Sequence, residues 1–145
     1  MRVLLVNIDS KIPNLALMRL ATWHRTNGDK VFLNSCPCVP DRVYASSVFD
    51  SSNKRRNQVR QLWPSVNEGG TGYGNNATLD DILGTDTERI VPDYSFWPEY
   101  EPSIGFTARG CRFACKFCVV PQKEGKPTTV HSVVELDVAC REHVG

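Results

Sequence analysis

The chain has 145 residues, 41% of them hydrophobic and 23% charged, with a formal net charge of +1. This is the balance of a soluble globular protein, with room for one ordinary domain or for a small domain plus part of another. Near-neutral charge excludes bulk electrostatic attraction to nucleic acid or to an anionic membrane surface, so a partner has to be recognised at a site.

The N-terminal apolar run, MRVLLVNID, meets charge at Asp9 and Lys11. It is too short for a secretory leader and far short of the roughly twenty residues of a membrane span. The chain is therefore expected in the cytosol, away from membranes, where clustered cysteines point to metal or redox chemistry rather than disulfides.

Residues 3–8 are apolar apart from Asn7, as in a strand buried on both faces of a parallel sheet. Pro13 suits the first turn of a helix whose apolar residues recur to Trp23, until Asn27-Gly28 stops the pattern. A second short strand at 31–33 completes a βαβ unit. A third strand is expected at 43–49, a basic helix with Lys54, Arg55, Arg56 and Arg60 at 54–63, and then a Gly-rich loop at 68–74. Residues 1–90 thus predict an α/β, Rossmann-like open parallel sheet. Residues 91–102 carry three prolines and four aromatics without a period, and are expected to be an extended linker. A new strand is expected at 103–108. A capping box at 132–135 opens a last helix that runs to about His143.

The strongest chemical signal is Cys111-Arg-Phe-Ala-Cys115-Lys-Phe-Cys118, three thiols within eight residues directly after the expected strand. Iron–sulfur clusters are held by cysteine thiolates, ordinarily four. Three protein ligands leave one iron open to a non-protein ligand. Zinc is the competing occupant, but it prefers four ligands in paired sets. Cys115 and Cys118 make one pair; Cys111 with Cys140, His131 or Cys36/Cys38 makes a poorly spaced second. Cys36, Cys38 and Cys140 read as ordinary small buried residues.

This spacing, with aromatic Phe117 just before the last cysteine, resembles the signature of the radical S-adenosylmethionine (SAM) superfamily. The resemblance implies that residues 104–108, Arg109-Gly110, Val119-Val120-Pro121 and Glu124-Gly125 are the first strand and cluster loop of a partial (β/α) barrel, so that residues 103–145 begin a radical SAM core. Active sites of such barrels lie at the strands' C-terminal ends. It further implies a 4Fe–4S cluster on Cys111, Cys115 and Cys118, SAM at the open iron with its adenine against Phe117, and Arg109 and Lys116 flanking the cluster. An external electron donor such as flavodoxin or ferredoxin would supply the electron. Methyl transfer, methylthiolation and rearrangement of an unknown substrate all stay open. Only the first βα unit of the barrel falls within the sequence, so a fragment or split gene product, inactive alone and paired with the rest of the barrel, is expected.

The order of elements in residues 1–75 resembles the cobalamin-binding-type domain that precedes many radical SAM cores. That resemblance implies corrin contacts at Asp9, Ser10, Ser46, Ser47, Gly69, Gly70 and Thr71. The Asp-x-His-x-x-Gly motif of histidine-ligated cobalamin is missing, since the loop reads Asp9-Ser-Lys-Ile-Pro-Asn and His24 is expected at the surface. Cobalamin bound without a histidine, or a domain lacking the cofactor, stays open. Two non-catalytic alternatives stand beside the enzyme: a cobalamin-type binding module and a zinc-stabilised interaction protein. Gly72-Tyr-Gly74-Asn-Asn-Ala77 matches a dinucleotide fingerprint formally but follows no clear strand, and is expected to be a flexible loop. The four basic residues at 54–60 are expected to form a solvated face.

Overall fold

The apolar N-terminal run becomes β1 (Arg2–Asn7), an inner strand of a four-stranded parallel sheet. The computed structural model describes residues 1–74, 77–113 and 115–131. β1 is flanked by β2 (Lys30–Leu33) and β3 (Arg42–Ser46), and β4 (Asn67–Gly69) pairs with β3, giving the order β2-β1-β3-β4. Val3 and Leu5 register with Val31 and Leu33 on one side, and Leu4 and Val6 with Val43 and Ala45 on the other.

α1 (Leu15–Thr26) links β1 to β2, and α2 (Asn53–Leu62) links β3 to β4. The two connections run in opposite directions across the sheet, so right-handed crossovers place their helices on opposite faces. The packing agrees. Leu17, Leu20 and Ala21 of α1 cover Val3, Leu5 and Tyr44, while Val59 of α2 covers Leu4, Val6, Ile8, Val43 and Ala45. Such two-sided burial is what a continuous apolar strand requires. α1 starts at Asn14, whose side chain accepts from the Leu17 N–H, and stops where Gly28 turns at φ 79°. α3 (Leu79–Leu83) opens on a Thr78/Asp81 capping box and packs Leu79, Ile82 and Leu83 on the α1 side.

Several expectations shift in the structure. The chain divides into Met1–Trp97 and Pro98–Gly145. The first half of the expected linker therefore belongs to the first unit. Phe96 and Trp97 pack on its core, Asp93 N–H donates to the Met18 carbonyl (3.3 Å), and Arg25 pairs with Asp93 and lies over Phe96. β4 was hidden in sequence because its pairing with β3 is backbone-led, with no apolar alternation in Asn-Glu-Gly. β3 ends at Ser46 because the next residues turn toward Asp9.

His24 is not at the surface. It is wholly buried, with Nδ1 2.7 Å from Asp29 and Nε2 3.1 Å from the Tyr44 hydroxyl. It lies three and four residues beyond Ala21 and Leu20, on the same helical stripe.

In the second unit the strand expected at 103–108 reduces to β5 (Ala108–Arg109), paired antiparallel with β6 (Thr128–Thr129). A parallel barrel strand needs neighbours on both sides and cover on both faces, and none of the described residues from 98 to 131 is fully buried. α4 (Val120–Lys123) is a single turn. The helix expected at 132–143, with Cys140, lies outside the described residues. Among the described residues no helix is long and apolar enough to cross a membrane.

Truncating Leu5, fully buried in the sheet, to alanine is expected to cost about 3 kcal/mol in urea unfolding. Leu62→Ala at the exposed end of α2 should stay within about 0.5 kcal/mol.

Candidate functional site

Two places gather the chemistry that the sequence singles out. The first is the carboxyl edge of the sheet, where the connections leaving β1 and β3 diverge. Open parallel sheets bind ligands at this kind of switch point. The structure brings Asp9, Ser46, Ser47, Gly69 and Gly70 together here. Asp9 accepts from the Ser47 hydroxyl (2.7 Å), the Val48 N–H (2.8 Å) and the Phe49 N–H (3.1 Å). Ser46 Oγ accepts from Asn14 Nδ2 at 2.9 Å. Ser47 N–H donates to the Gly69 carbonyl and the Gly72 N–H to that of Ser47. Ser10 is tied to Asn7 and to the Ile12 carbonyl, while Thr71 is exposed.

These groups spend their hydrogen bonds on one another. Burial pushes the Asp9 carboxyl up, but the N–H and hydroxyl donors of Val48, Ser47, Ser52 and Phe49 outweigh it and hold the pKa below its ordinary 3.8. A Cβ on Gly70, at φ 97°, would overlap the Ser47 carbonyl. One on Gly72 would overlap the Phe49 carbonyl and Ser47 Oγ. The glycines thus admit chain against chain. The Gly-rich loop expected at 68–74 begins inside β4 and continues as a 3₁₀ turn at Thr71–Tyr73, so the start of the segment expected as a flexible loop, at Gly72, lies in that turn. Asn75 and Asn76 of the formal dinucleotide match lie outside the described residues.

The basic helix is likewise more structural than its sequence suggests. Arg56 is buried and donates to the carbonyls of Phe49 (2.7 Å) and Asp50 (2.9 Å). Arg60 holds Glu68 through two bonds of 2.5 and 2.8 Å. Both guanidinium groups lie 5.4 Å from the Tyr73 ring, and burial pushes the Tyr73 hydroxyl up to about 12. Lys54 and Arg55 are left exposed. Cobalamin with a histidine axial ligand does not fit this edge, because His24 is locked between Asp29 and Tyr44. Sequence reasoning missed Asn14 and Arg56 as parts of the edge. Asn14 carried a signal as the residue before an apolar helical run; Arg56 carried none.

The second place is the cysteine loop between β5 and β6. Gly110 and Gly125 turn at φ 80° and 71°, and a Cβ on Gly110 would overlap the Lys126 carbonyl. Cys111 N–H donates to the Gly125 carbonyl at 3.2 Å, and Cys118 N–H to that of Cys115 at 3.0 Å. Glu124 ties the base of the loop, accepting from Arg109 (3.0 Å) and from the Gly110 N–H (3.1 Å). Arg109 also stacks 3.8 Å over Phe106. Cys111, Cys115 and Cys118 are free thiols, Cys115 exposed and the others half-buried. The Phe113 N–H points at Cys111 Sγ at 3.4 Å. Phe117 is 94% exposed.

Among the described residues no three Cys, His, Asp or Glu side chains are drawn together as a metal-ligand group. Three free thiols on one tethered loop, with a backbone N–H directed at one sulfur, are donors of the type that hold iron–sulfur clusters. Comparison with protein-family models, with curated proteins and with solved structures returned no match.

Gly70→Ala is expected to destabilise the fold by more than about 2 kcal/mol, because the added Cβ meets backbone and the φ is strained. Gly69→Ala, where nothing lies within 4 Å of the added Cβ, should be far milder; chemical denaturation distinguishes them.

Asp9→Asn should cost about 2 kcal/mol near neutral pH. The native carboxyl titrates below 3.8, so its contribution is complete above that value and is lost as pH falls through the native pKa. Stability curves of the two proteins should converge at acid pH.

Proposed function

We propose that the chain is the cluster-bearing part of a radical SAM protein, with Cys111, Cys115 and Cys118 as the thiolate ligands of a 4Fe–4S cluster. The observation that carries the proposal is the C-x-x-x-C-x-x-C run of three free thiols on one loop tethered at its base by β5–β6, Gly110, Gly125 and Glu124. Zinc is less well served by this run, because it prefers four ligands in paired sets and Cys115 and Cys118 make only one such pair.

Bound on three thiolates, such a cluster supplies the single electron that splits the sulfonium bond of SAM. The chain's own residues hold and tune it. Phe113 N–H donates to the Cys111 sulfur, and hydrogen bonds to sulfur raise a cluster's potential. The Arg109–Glu124 pair, 28–30% exposed, fixes the loop's base, so that Gly110 delivers Cys111 in one orientation. The exposed ring of Phe117 is free to stack on the adenine of SAM. An external one-electron donor completes the system, and the substrate is held elsewhere.

Anaerobic reconstitution with iron and sulfide should yield a brown protein with about four irons and four sulfides per chain. Alanine at Cys111, Cys115 or Cys118 should each remove most of that iron while far-UV circular dichroism stays unchanged. A colourless protein that retains one zinc, or wild-type iron content in all three variants, would defeat the proposal.

A further inference from the structure

The 34–41 connection plays no part in the cluster proposal. It carries the chain from the carboxyl end of β2 back to the amino end of β3, across β1, without a helix. Both ends are pinned. Asn34 turns at φ 59°, donates its N–H to the Leu5 carbonyl (2.7 Å) and accepts from the Asn7 N–H (2.8 Å). Asp41 donates its N–H to the Arg2 carbonyl (2.8 Å) and accepts both the Arg2 N–H (2.7 Å) and its guanidinium.

Between these pins lies Cys36-Pro37-Cys38, with its two sulfurs 3.6 Å apart. Cys36 is half-buried against the core under α2, beside Phe32, and Cys38 is exposed. Pro37 holds φ near −65°, which limits how far the two side chains can separate. A disulfide requires a sulfur separation of about 2.05 Å, so the two sulfurs, 3.6 Å apart, have to close by about 1.5 Å. The guanidinium of Arg2, fixed by Asp41, lies beside Cys38 and gives the exposed sulfur a cationic neighbour. Redox-active thiols pair an accessible sulfur with a second, resolving one in this way.

We propose that Cys36 and Cys38 form a dithiol that exchanges with external low-molecular-weight disulfides, Cys38 reacting first and Cys36 resolving. The Cys38 thiolate attacks one sulfur of the external disulfide, forming a mixed disulfide as one thiolate leaves. The Cys36 thiolate then attacks the Cys38 sulfur and expels the second. Two protein thiols are oxidised to one disulfide, the external disulfide is reduced to two thiols, and the two protein protons end on the leaving groups.

The test uses the full chain with oxidised glutathione, followed by alkylation, trypsin and mass spectrometry. Cleavage after Lys30 and Arg42 releases peptide 31–42, which holds Cys36 and Cys38 and no other cysteine. The outcome is therefore read separately from Cys111, Cys115 and Cys118. The expected product is an internal disulfide in that peptide, both thiols disappearing together with no glutathione attached. In Cys36→Ser, Cys38 should accumulate as the glutathione mixed disulfide. In Cys38→Ser, Cys36 should react about tenfold more slowly than Cys38 does in the reciprocal variant. A wild-type peptide that keeps both thiols, or carries glutathione without closing, overturns the proposal. The wild-type measurement decides even where a variant fails to fold.

Discussion

The fold depends on burying β1 on both faces at once. Val3 and Leu5 point to the α1 side, and Leu4, Val6 and Ile8 to the α2 side, each nearly or fully inaccessible. Burial of this kind contributes about 1.5–3 kcal/mol per side chain and leaves no tolerance for slippage, since a one-residue shift exchanges the two faces. Once β1 is set, its parallel neighbours follow, and the loops leaving β1 and β3 meet at one edge. Asp9 closes that meeting by accepting three hydrogen bonds from the β3 loop. The edge that would cradle a ligand in other open sheets is here largely satisfied by itself.

The second unit rests on different physics. None of its described residues is fully buried, so apolar packing does not set the geometry of the cysteine loop. Local polar constraints do: two glycines at positive φ, a two-residue antiparallel pairing and the Glu124 carboxylate binding both Arg109 and the Gly110 N–H. Positive φ is available to glycine at little steric cost. A loop held by its base leaves Cys115 exposed and Cys111 and Cys118 half-buried.

Much of the first unit was legible because its signals are periodic. The buried run of β1, the helical stripe of α1 and the Asn27-Gly28 stop all became elements within a residue or two of the expected positions. What escaped has no period. β4 is three residues paired through backbone alone, and its Asn-Glu-Gly sequence looks like a turn. His24 reads as polar, yet it completes the α1 stripe because Asp29 and Tyr44 satisfy both ring nitrogens. Arg56 reads as a surface charge, yet backbone carbonyls of the preceding turn receive it. The strand expected before the cysteines failed for the converse reason. An apolar alternation at 103–108 specifies a strand only where another strand lies beside it.

The cysteine spacing carries the functional claim, and it belongs to the sequence more than to the packing. Its most direct test is electron paramagnetic resonance of the anaerobically reconstituted, dithionite-reduced protein, with and without SAM. A cluster held by Cys111, Cys115 and Cys118 alone predicts a reduced 4Fe–4S signal whose g-values shift when SAM is added. A reduced signal indifferent to SAM, or a protein that assembles no cluster, would contradict it.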